Sequence, residues 1–348
     1  MLYYELDIYI EAIMKQTILV TGGAGYIGSH TALLLAQQQY NVIILDALLH
    51  NQTFNHTWAT FIQGNFGDKK ILNHIFTHHN IAAVMHFAAN IEVSESVKNP
   101  LKFYHNNVSN TINMLEAMYM HGCNNFIFSS SCAVYGNPHY IPLTEDHPKN
   151  PISPYGRTKL MIEHVLQDCA HAYDIRFVNL RYFNAAGALA EYNLYEHHEP
   201  ETHVIPLLFR ATHTKKPFYV FGIDHETPDG TCVRDYLHVW DIAHAHLKAL
   251  FHVQQNNPSD AFNLGTGKGI SVKTMIAHVE QICKTPITVI HAEKRAGDPP
   301  TLVADPSKAH DILGWQPRYS DITFILQSAY AGYHTYRQKY HSTQPIIK

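Results

Sequence analysis

The chain has 348 residues, of which 46% are hydrophobic and 16% charged, and its formal net charge is −4. This composition predicts a globular protein with one large or two modest domains, and the lack of basic blocks and long apolar runs argues against nucleic acid or membrane partners. Five cysteines without paired spacing favour a reducing, cytoplasmic location. No metal site is expected, because pairs such as His78-His79 and His197-His198 lack the Cys or acidic partners that metal sites use.

The predicted elements alternate between strands and helices over the first half of the chain. Residues 1–13 are interpreted as an N-terminal extension that arises from an upstream start site, because Met14 opens a natural first strand and no signal-peptide pattern precedes it. Strands are expected at 18–20, 42–46, 82–87, 125–129 and 176–181, and helices at 26–39, 69–79, 100–121 and 154–172. The alternation predicts an α/β fold with a doubly wound parallel sheet of Rossmann type.

The second half has a looser pattern. Helices are expected at 202–212 and 235–251 and a strand at 287–291, separated by loops that contain Gly and Pro. We therefore predict a nucleotide-binding domain over residues 14–185. Residues 186–348 are expected to form mainly a smaller, mixed α/β substrate domain that is partly interleaved with the first.

A glycine-rich segment joins the first strand to the first helix. It places Gly22, Gly25 and Gly28 in a tight turn, where a pyrophosphate can approach the helix N-terminus. Asp46 ends the next strand, where a carboxylate can accept hydrogen bonds from a ribose diol. No Arg follows Asp46 to bind a 2′-phosphate, so the sequence predicts NAD rather than NADP as the cofactor.

A Tyr-Lys pair opens another predicted helix. Ser153 can cap this helix, and Tyr155 and Lys159 share one of its faces because they are four residues apart. An ammonium beside a phenol lowers the phenol's pKa, which makes Tyr155 a candidate base. Ser131 comes after a buried strand and is expected near the same point, since ligands bind beyond the carboxyl ends of parallel strands.

In this order and spacing, the motifs resemble the extended short-chain dehydrogenase/reductase family. The resemblance runs from about residue 17 to 315 and includes T-G-G-A-G-Y-I-G-S-H at 21–30, F-I-F-S-S-S-C-A-V-Y-G at 126–136, S-P-Y-G-R-T-K at 153–159, L-R-Y-F-N at 180–184 and N-L-G-T-G at 263–267. Two further segments point to the NAD-dependent epimerase branch of that family. They are D-G-T-C-V-R-D-Y-L-H-V at 229–239 and R-A-G-D at 295–298.

The resemblance implies a reversible oxidation at C4 of a UDP-sugar. Tyr155 is expected to take the proton of the 4-hydroxyl while hydride passes to tightly bound NAD, Ser131 to orient that hydroxyl, and Lys159 to lower the pKa of Tyr155 and hold the nicotinamide ribose. The 4-keto sugar then turns over and is reduced on its other face, which interconverts UDP-glucose and UDP-galactose. The resemblance also implies a homodimer that pairs the helices at about 100–120 and 155–172.

The same resemblance implies further site residues. Cofactor contacts are expected from Gly22, Gly25, Tyr26, Ile27, Gly28, Asp46, Asn65, Phe66, Phe87, Ala88, Ala89, Asn106, Ser129, Tyr155, Lys159, Tyr182 and Phe183. Substrate contacts are expected from Ser131, Tyr155, Asn184, His203, Val204, Phe221, Arg234, Arg295, Asp298 and Leu302. The two arginines would clasp the diphosphate, for which the guanidinium fork is well shaped, and Asp298 would bind the uridine ribose.

The chain departs from the family pattern at four positions. Ile91 stands where a Lys often reaches the cofactor, and Asn65 where an Asp often meets the adenine. His203 stands where an Asn often reaches the sugar nucleotide. Leu302 occupies the position that gates N-acetyl sugars in the family, so UDP-N-acetyl sugars are a second hypothetical substrate class.

Three alternative functions differ in the residues that they need. A nucleotide-sugar dehydratase needs an acid pair after the serine strand, where this chain has Cys132-Ala133. A 4-epimerase of a UDP-pentose stays open, because the chemistry at C4 is unchanged. A non-catalytic NAD-binding protein is the alternative from another class, and it is disfavoured because Ser131, Tyr155 and Lys159 are all present.

Overall fold

The computed structural model describes residues 16–48, 54–198, 200–295 and 299–341, so the predicted extension at 1–13 lies outside it. The strands are β1 Thr17–Thr21, β2 Asn41–Asp46, β3 Thr60–Gln63, β4 Ile81–His86, β5 Asn125–Ser129, β6 Arg176–Tyr182, β7 Asn184–Ala186, β8 Phe218–Phe221, β9 Val233–His238, β10 Asp260–Leu264, β11 Gly269–Ser271, β12 Val289–Ala292 and β13 Thr301–Leu302. The α-helices are α1 Tyr26–Gln37, α2 Lys69–His78, α3 Val93–Lys98, α4 Pro100–Phe103, α5 Asn110–Met120, α6 Pro154–Tyr173, α7 Val204–Thr214, α8 Val239–Gln254, α9 Val272–Cys283, α10 Ser307–Leu313 and α11 Ile322–His341.

A seven-stranded parallel sheet forms the centre of the molecule, in the order β10-β6-β5-β4-β1-β2-β3. Alternate residues of a strand point to opposite faces, and both faces are buried under helices. In β1, Ile18 and Val20 pack on the α1 side, whereas Leu19 packs on the other side with Met114 of α5 and Leu166 of α6. This arrangement confirms the predicted α/β, doubly wound fold.

The helix predicted over residues 100–121 is not continuous. A π-helical segment, Tyr104–Ser109, separates α4 from α5. Within it the buried Asn107 donates from Nδ2 to the carbonyl oxygen of Asn90 and to Oγ1 of Thr158, at 3.0 and 3.1 Å. Widened turns of this kind are common at functional sites. Here the segment ties α6 to the loop that comes after β4.

The helix predicted over residues 235–251 is wrong at its start. Residues 233–238 form β9, which pairs with β7 and β13 in parallel and with β11 antiparallel. Helix α8 begins only at Val239, where Nδ1 of His238 accepts from the backbone NH of Trp240 at 3.0 Å. The strand was missed because its mixed polar and apolar residues continue smoothly into a helical pattern.

The second half of the chain contributes to both parts of the fold. Strand β10 pairs with β6 at the edge of the large sheet, and α8 packs against α1. A separate apolar cluster lies under α7, α9 and α11 and includes Leu208, Met275 and Ile325. The predicted boundary near residue 185 stays a prediction. Among the described helices, none is both long and apolar enough for a bilayer span.

Candidate active site

The glycine loop connects β1 to α1 at the carboxyl end of the central strand. Gly22 has a φ of +72°, and a Cβ there would lie 2.6 Å from the backbone nitrogen of Ala88. A Cβ on Gly28 would lie 2.3 Å from the carbonyl oxygen of Gly22. Gly25 is the N-cap of α1 and brings no side chain to the helix end. The loop is therefore tight, and it leaves the N-terminus of α1 open to an anion.

Asp46 ends β2 beside this loop. Its Oδ2 accepts from the backbone NH of Ala24 at 3.0 Å and its Oδ1 from that of Leu48 at 2.9 Å. Burial raises the pKa of its carboxyl above the ordinary value, although these hydrogen bonds oppose the shift. The carboxylate is thus oriented by backbone contacts at the position where a ribose diol is expected.

Helix α6 carries the predicted Tyr-Lys pair. Ser153 caps it, with Oγ accepting from the backbone NH of Gly156 at 3.1 Å. Gly156 allows the turn after β5 to approach, because a Cβ there would lie 2.5 Å from the carbonyl oxygen of Ala133. This close approach brings the Ser131 hydroxyl near the Tyr155 phenol, where it acts to lower the pKa of that phenol. The three residues Ser131, Tyr155 and Lys159 therefore converge.

Lys159 is 3% exposed and donates from Nζ to the carbonyl oxygen of Ser129 at 2.7 Å. Burial lowers the pKa of its ammonium to about 7, and Glu163 partly opposes that shift. The Nζ atom lies 5.9 Å from the ring centroid of Tyr155. The cation is therefore near the phenol but is directed toward the backbone of β5.

The pKa of Tyr155 differs from the prediction. Burial raises it to about 12, and the Ser131 hydroxyl only partly offsets this. The expected lowering by Lys159 is wrong for this arrangement, because the ammonium donates to Ser129 and not to the phenol. In this form of the site Tyr155 is neutral near pH 7.

Several predicted cofactor residues surround the glycine loop. The backbone NH groups of Phe87 and Ala88 donate to the carbonyl oxygen of Thr21 at 3.0 and 3.1 Å, which ties the end of β4, and with it Ala89, to the loop. The ring centroids of Phe87 and His246 are also 4.5 Å apart. At the start of α1, the Tyr26 hydroxyl donates to the carbonyl oxygen of Gly187 at 2.6 Å, and the next residue, Ile27, packs against the core.

Apart from Asn106, the remaining predicted cofactor residues lie at or just after strand ends. Asn65 is exposed, and its Oδ1 accepts from the backbone NH of Gly67 at 2.8 Å, while Phe66 beside it is buried. Asn106 lies in the π-helical segment. The hydroxyls of Ser129 and Tyr182 form a short hydrogen bond at the ends of β5 and β6. The adjacent Phe183 packs in a small apolar cluster with Val134, Tyr135, Leu143 and Ala304.

Four of the predicted substrate residues, Asn184, Phe221, Arg234 and Leu302, lie on strands of the two smaller sheets. Asn184 on β7 donates from Nδ2 to the carbonyl oxygen of Asp235 at 2.9 Å. Arg234 on β9 stands beside Leu302 on β13 in the parallel register, and Leu302 packs against the cluster that contains Phe183. The Arg295 guanidinium lies 3.9 Å above the ring centroid of Phe221. Asp298 lies outside the described residues.

His203 and Val204 stand at the start of α7. The Nδ1 atom of His203 lies 2.9 Å from Oε1 of Glu196 and 3.2 Å from Oε1 of Glu201. Burial favours the neutral imidazole, but the two carboxylates outweigh it and raise the pKa of His203 above its ordinary value. The side chain predicted to reach the substrate is therefore engaged by two acids.

The comparisons with known proteins agree with this geometry. Residues 18–265 match the NAD dependent epimerase/dehydratase family. The chain belongs to this family. A UDP-glucose 4-epimerase of Rhizobium meliloti is 46% identical over 319 residues, which cover 91% of this chain and 97% of the relative.

Solved structures of the NAD dependent epimerase/dehydratase family resemble the whole described fold. UDP-glucose 4-epimerase from Brucella ovis, in complex with NAD, is 44% identical with a TM-score of 0.87 and covers 91% of this chain and 98% of its own. UDP-glucose 4-epimerase from Stenotrophomonas maltophila, with bound NAD and formylated UDP-arabinopyranose, is 36% identical with a TM-score of 0.88. The match covers 93% of this chain and 99% of that enzyme's chain. The resemblance inferred from the motifs is confirmed.

NAD is the cofactor of this family, and the residues present fit it. The tight loop at Gly22, the uncapped helix start at Gly25 and the oriented carboxylate of Asp46 are the three features that a dinucleotide needs from a parallel sheet. Lys159 then stands at the ends of the neighbouring strands, where the nicotinamide half is expected.

Sequence reasoning missed a buried polar network behind the catalytic helix. Glu163 forms a bidentate pair with Arg181, through Nε–Oε1 and Nη2–Oε2 contacts of 2.9 and 2.6 Å. Ser130 donates to Glu163 Oε1 at 2.6 Å, and Arg181 Nη1 donates to the Tyr135 hydroxyl at 2.9 Å. The sequence does contain one indication of this network, which is the spacing of Glu163. It comes four residues after Lys159 and therefore lies on the same face of the helix.

Proposed function

We propose that this protein is a UDP-sugar 4-epimerase that interconverts UDP-glucose and UDP-galactose. The observation that carries the proposal is the convergence of Ser131, Tyr155 and Lys159 at the carboxyl ends of the parallel strands, beside the glycine loop. Relatives that are 46% identical over nearly their whole length have this activity in their names, which supports the same substrate pair here.

Different residues of the chain have different roles in the reaction. Ser131 holds the sugar 4-hydroxyl against Tyr155, and Tyr155 takes its proton in one half-reaction and returns it in the other. When bound, NAD accepts and returns the hydride of C4 and brings a positively charged nicotinamide ring. Positive charge near the phenol favours the phenolate, so a bound, oxidised nicotinamide ring would oppose the effect of burial on Tyr155.

A dehydratase is disfavoured by the residues that come directly after the serine strand. Cys132 and Ala133 form a short 3₁₀ turn there. Burial raises the pKa of the Cys132 thiol to about 12, so it is not an acid–base group near neutral pH. Elimination of water needs a proton donor and a base in addition to the tyrosine, and this turn supplies neither.

The test is epimerisation without an added redox partner. Purified protein is incubated with UDP-galactose, and UDP-glucose is measured by chromatography, in parallel with UDP-xylose. Tyr155→Phe, which keeps the ring and removes the hydroxyl, should lower the rate by about 10²–10⁴. Absence of product from both sugars with NAD-loaded protein would exclude the proposal.

A second copy of the chain is the partner that the surface supports best. Helices α5 and α6 expose Ile112, Tyr119, Met120, Met161 and Tyr173, and the rings of Tyr119 and Tyr173 lie 4.5 Å apart. An exposed apolar face on two adjacent helices suits packing into a four-helix bundle. Light scattering should give the mass of a dimer, and Met161→Glu should shift it toward that of a monomer.

The proposed location is the cytoplasm. No disulfide bond joins any of the five cysteines, which stand at the described positions 123, 132, 169, 232 and 283. Five cysteines without a disulfide suit a reducing compartment. Fractionation of expressing cells would test this, with recovery of the protein outside the cytoplasm as the contrary result.

A further inference from the structure

A compact group of imidazoles and carboxylates lies in the segment between β7 and α7. It consists of Glu196, His198, Glu201 and His203, and one ligand atom from each lies within 4.8 Å of every other. The spacing is E-x-H-x-x-E-x-H. This corrects the expectation that the His197-His198 pair lacks acidic partners, because Glu196 and Glu201 flank His198 in sequence and in space.

The distances match those between ligands of a single ion. The Nδ1 atom of His203 lies 2.9 Å from Glu196 Oε1, and that of His198 lies 3.5 Å from the same oxygen and 3.9 Å from Glu201 Oε2. With metal–ligand bonds of about 2.0–2.2 Å, the ligand atoms of a tetrahedral zinc site are roughly 3.3–3.6 Å apart. These three pairs therefore need shifts of only a few tenths of an ångström, and the other pairs lie within 4.8 Å.

Hydrogen bonding alone does not satisfy this group. The single Nδ1 of His203 faces oxygens of both Glu196 and Glu201. The Nδ1 of His198 is closed off from solvent and makes no hydrogen bond, although it lies near both acids. Polar atoms in such positions are normally paired. A divalent cation would use all four groups at once.

The charges also balance around such an ion. The Glu196 and Glu201 side chains are only 11% and 14% exposed, so two carboxylates are held together away from water. Buried like charges are costly unless they are neutralised. Two carboxylates and two neutral imidazoles around a divalent ion give a net charge of zero.

Glu201 is already oriented for this role. Its Oε1 accepts from the backbone NH groups of Thr202 and His203 at 2.7 and 2.8 Å, which fixes the carboxylate at the start of α7. Its Oε2 faces His198. A ligand that is fixed by backbone contacts loses little freedom on binding, which favours a site of defined geometry.

We propose that Glu196, His198, Glu201 and His203 bind one divalent transition-metal ion, with zinc as the best match. Imidazole nitrogens and carboxylate oxygens are both zinc ligands, and four of them fill the tetrahedral positions, which leaves no open position for a substrate and makes the site a structural one. The ion braces the segment between β7 and α7, and it takes the His203 imidazole as a ligand rather than leaving it to the substrate. The proposal stands apart from the epimerase activity, because its ligands do not include Ser131, Tyr155 or Lys159.

The position explains why bracing would matter. The Tyr26 hydroxyl, at the start of the cofactor helix, donates to the carbonyl oxygen of Gly187 where the segment begins. At its other end the segment runs into α7 through His203 and Val204. An ion held here therefore fixes the span that joins the glycine-loop helix to the substrate half.

Binding is tested on the full chain after treatment with a chelator. Zn²⁺ is titrated in a calorimeter against a competing chelator of moderate affinity, which removes weak binding by the many surface histidines. We expect one equivalent of tightly bound Zn²⁺. Co²⁺ in the same site should give the intense visible absorption of tetrahedral cobalt, which a six-coordinate surface site does not give.

Two variants and one matched control decide the assignment. Glu201→Gln and His198→Ala should each weaken Zn²⁺ binding by at least about 100-fold, since changes beyond the ligands alone can cost 10- to 100-fold. His197→Ala removes the adjacent imidazole, which packs against the Tyr336 ring, and should leave binding unchanged. Circular dichroism checks that each variant is folded, and Glu201→Gln preserves the side-chain volume.

Three outcomes would overturn the proposal. One is the absence of any tight equivalent in the wild-type chain. Another is equal binding in wild type and in both folded ligand variants. The third is loss of binding in His197→Ala alone. A rise in the melting temperature on adding Zn²⁺, present in wild type and absent in Glu201→Gln, would support the bracing role, and this readout does not depend on epimerase activity.

Discussion

The ammonium of Lys159 donates to the carbonyl oxygen of Ser129, at 2.7 Å, and this contact joins the catalytic helix to the end of strand β5. Two residues later β5 opens into the turn that carries Ser131. The cation and the serine are therefore positioned by the same strand end. Tyr155 lies one helical turn before Lys159, and its ring centroid is 5.9 Å from the ammonium nitrogen.

The first prediction concerns this lysine. Lys159→Met preserves much of the buried stem and removes the charge, so kcat for UDP-galactose should fall by about 10²–10⁴. The control is Lys69→Met, since Lys69 is an exposed residue paired with Glu116. Steady-state kinetics on NAD-loaded protein gives the comparison. Retention of more than a third of the wild-type kcat would contradict the assigned role.

The second prediction concerns stability. Glu163→Ala leaves the guanidinium of Arg181 buried without its carboxylate, because both side chains are only 3% exposed. Removing one partner of a buried pair typically costs about 3–5 kcal/mol. Urea unfolding should show a loss of this size in the free energy of unfolding.

The matched control for that change is Glu116→Ala. Glu116 pairs with Lys69 at the same 2.6 Å, but their side chains are 52% and 64% exposed. Exposed pairs contribute about 0–1 kcal/mol. If the two variants lose equal stability, burial of the Glu163–Arg181 pair is not what matters.

The third prediction is a loss of stability in mild acid. Burial lowers the pKa of His30 and His86 to about 3, and that of His238 and His246 to about 4. Below about pH 6.5 the unfolded chain binds protons at these positions while the folded chain does not. Stability should therefore fall as the pH drops from 6.5 toward 4, by at most about 1.4 kcal/mol per pH unit for each histidine.

Unfolding in urea at several pH values measures that slope. His86→Gln should make the slope shallower, because glutamine can keep a hydrogen bond to Thr21 or Thr111 without titrating in this range. A free energy of unfolding that is constant between pH 6.5 and 4.5 would show that these imidazoles are not held neutral.

The fourth prediction concerns sugar choice. Leu302 lies beside Arg234 in the register of β13 with β9, and we predict that it lines the sugar site, so that a larger side chain there reduces the space next to the sugar. We expect the wild-type chain to convert UDP-N-acetylglucosamine as well as UDP-galactose. Leu302→Tyr should lower the rate for UDP-N-acetylglucosamine at least about 10-fold and the rate for UDP-galactose by a smaller factor. The reason is that steric rejection of one added group is worth roughly 1–3 kcal/mol. Equal effects on both sugars would remove Leu302 as the gate.

Much of this site could be predicted from the sequence, because its parts are local. A glycine loop between a strand and a helix, an acid at the next strand end and a Tyr-Lys pair four residues apart each carry their geometry within a few residues. The features that could not be predicted depend on contacts between distant segments. The direction of the Lys159 ammonium is set by Ser129, and the pair of Glu163 with Arg181 joins α6 to β6. The high pKa of Tyr155 is likewise a result of packing that no spacing reveals.

Strand β9 is a second feature that could not be predicted, because its conformation depends on distant segments. Residues 235–238 look helical by pattern, yet they are held as a strand because β7, β11 and β13 all pair with β9. Partners from three separate parts of the chain decide its conformation. Single-sequence periodicity contains no information about them.

Strand β10 determines how this protein could be divided. It comes from the second half of the chain but completes the edge of the large sheet next to β6, and α8, which precedes it, covers α1. A fragment that ended at residue 185 would leave one edge of β6 without its partner strand and uncover the apolar surface of α1, which are features that promote aggregation. We therefore predict that the two halves of the chain cannot be separated at this boundary, and that a partner domain for protein engineering would have to be attached at a terminus rather than exchanged for the second half.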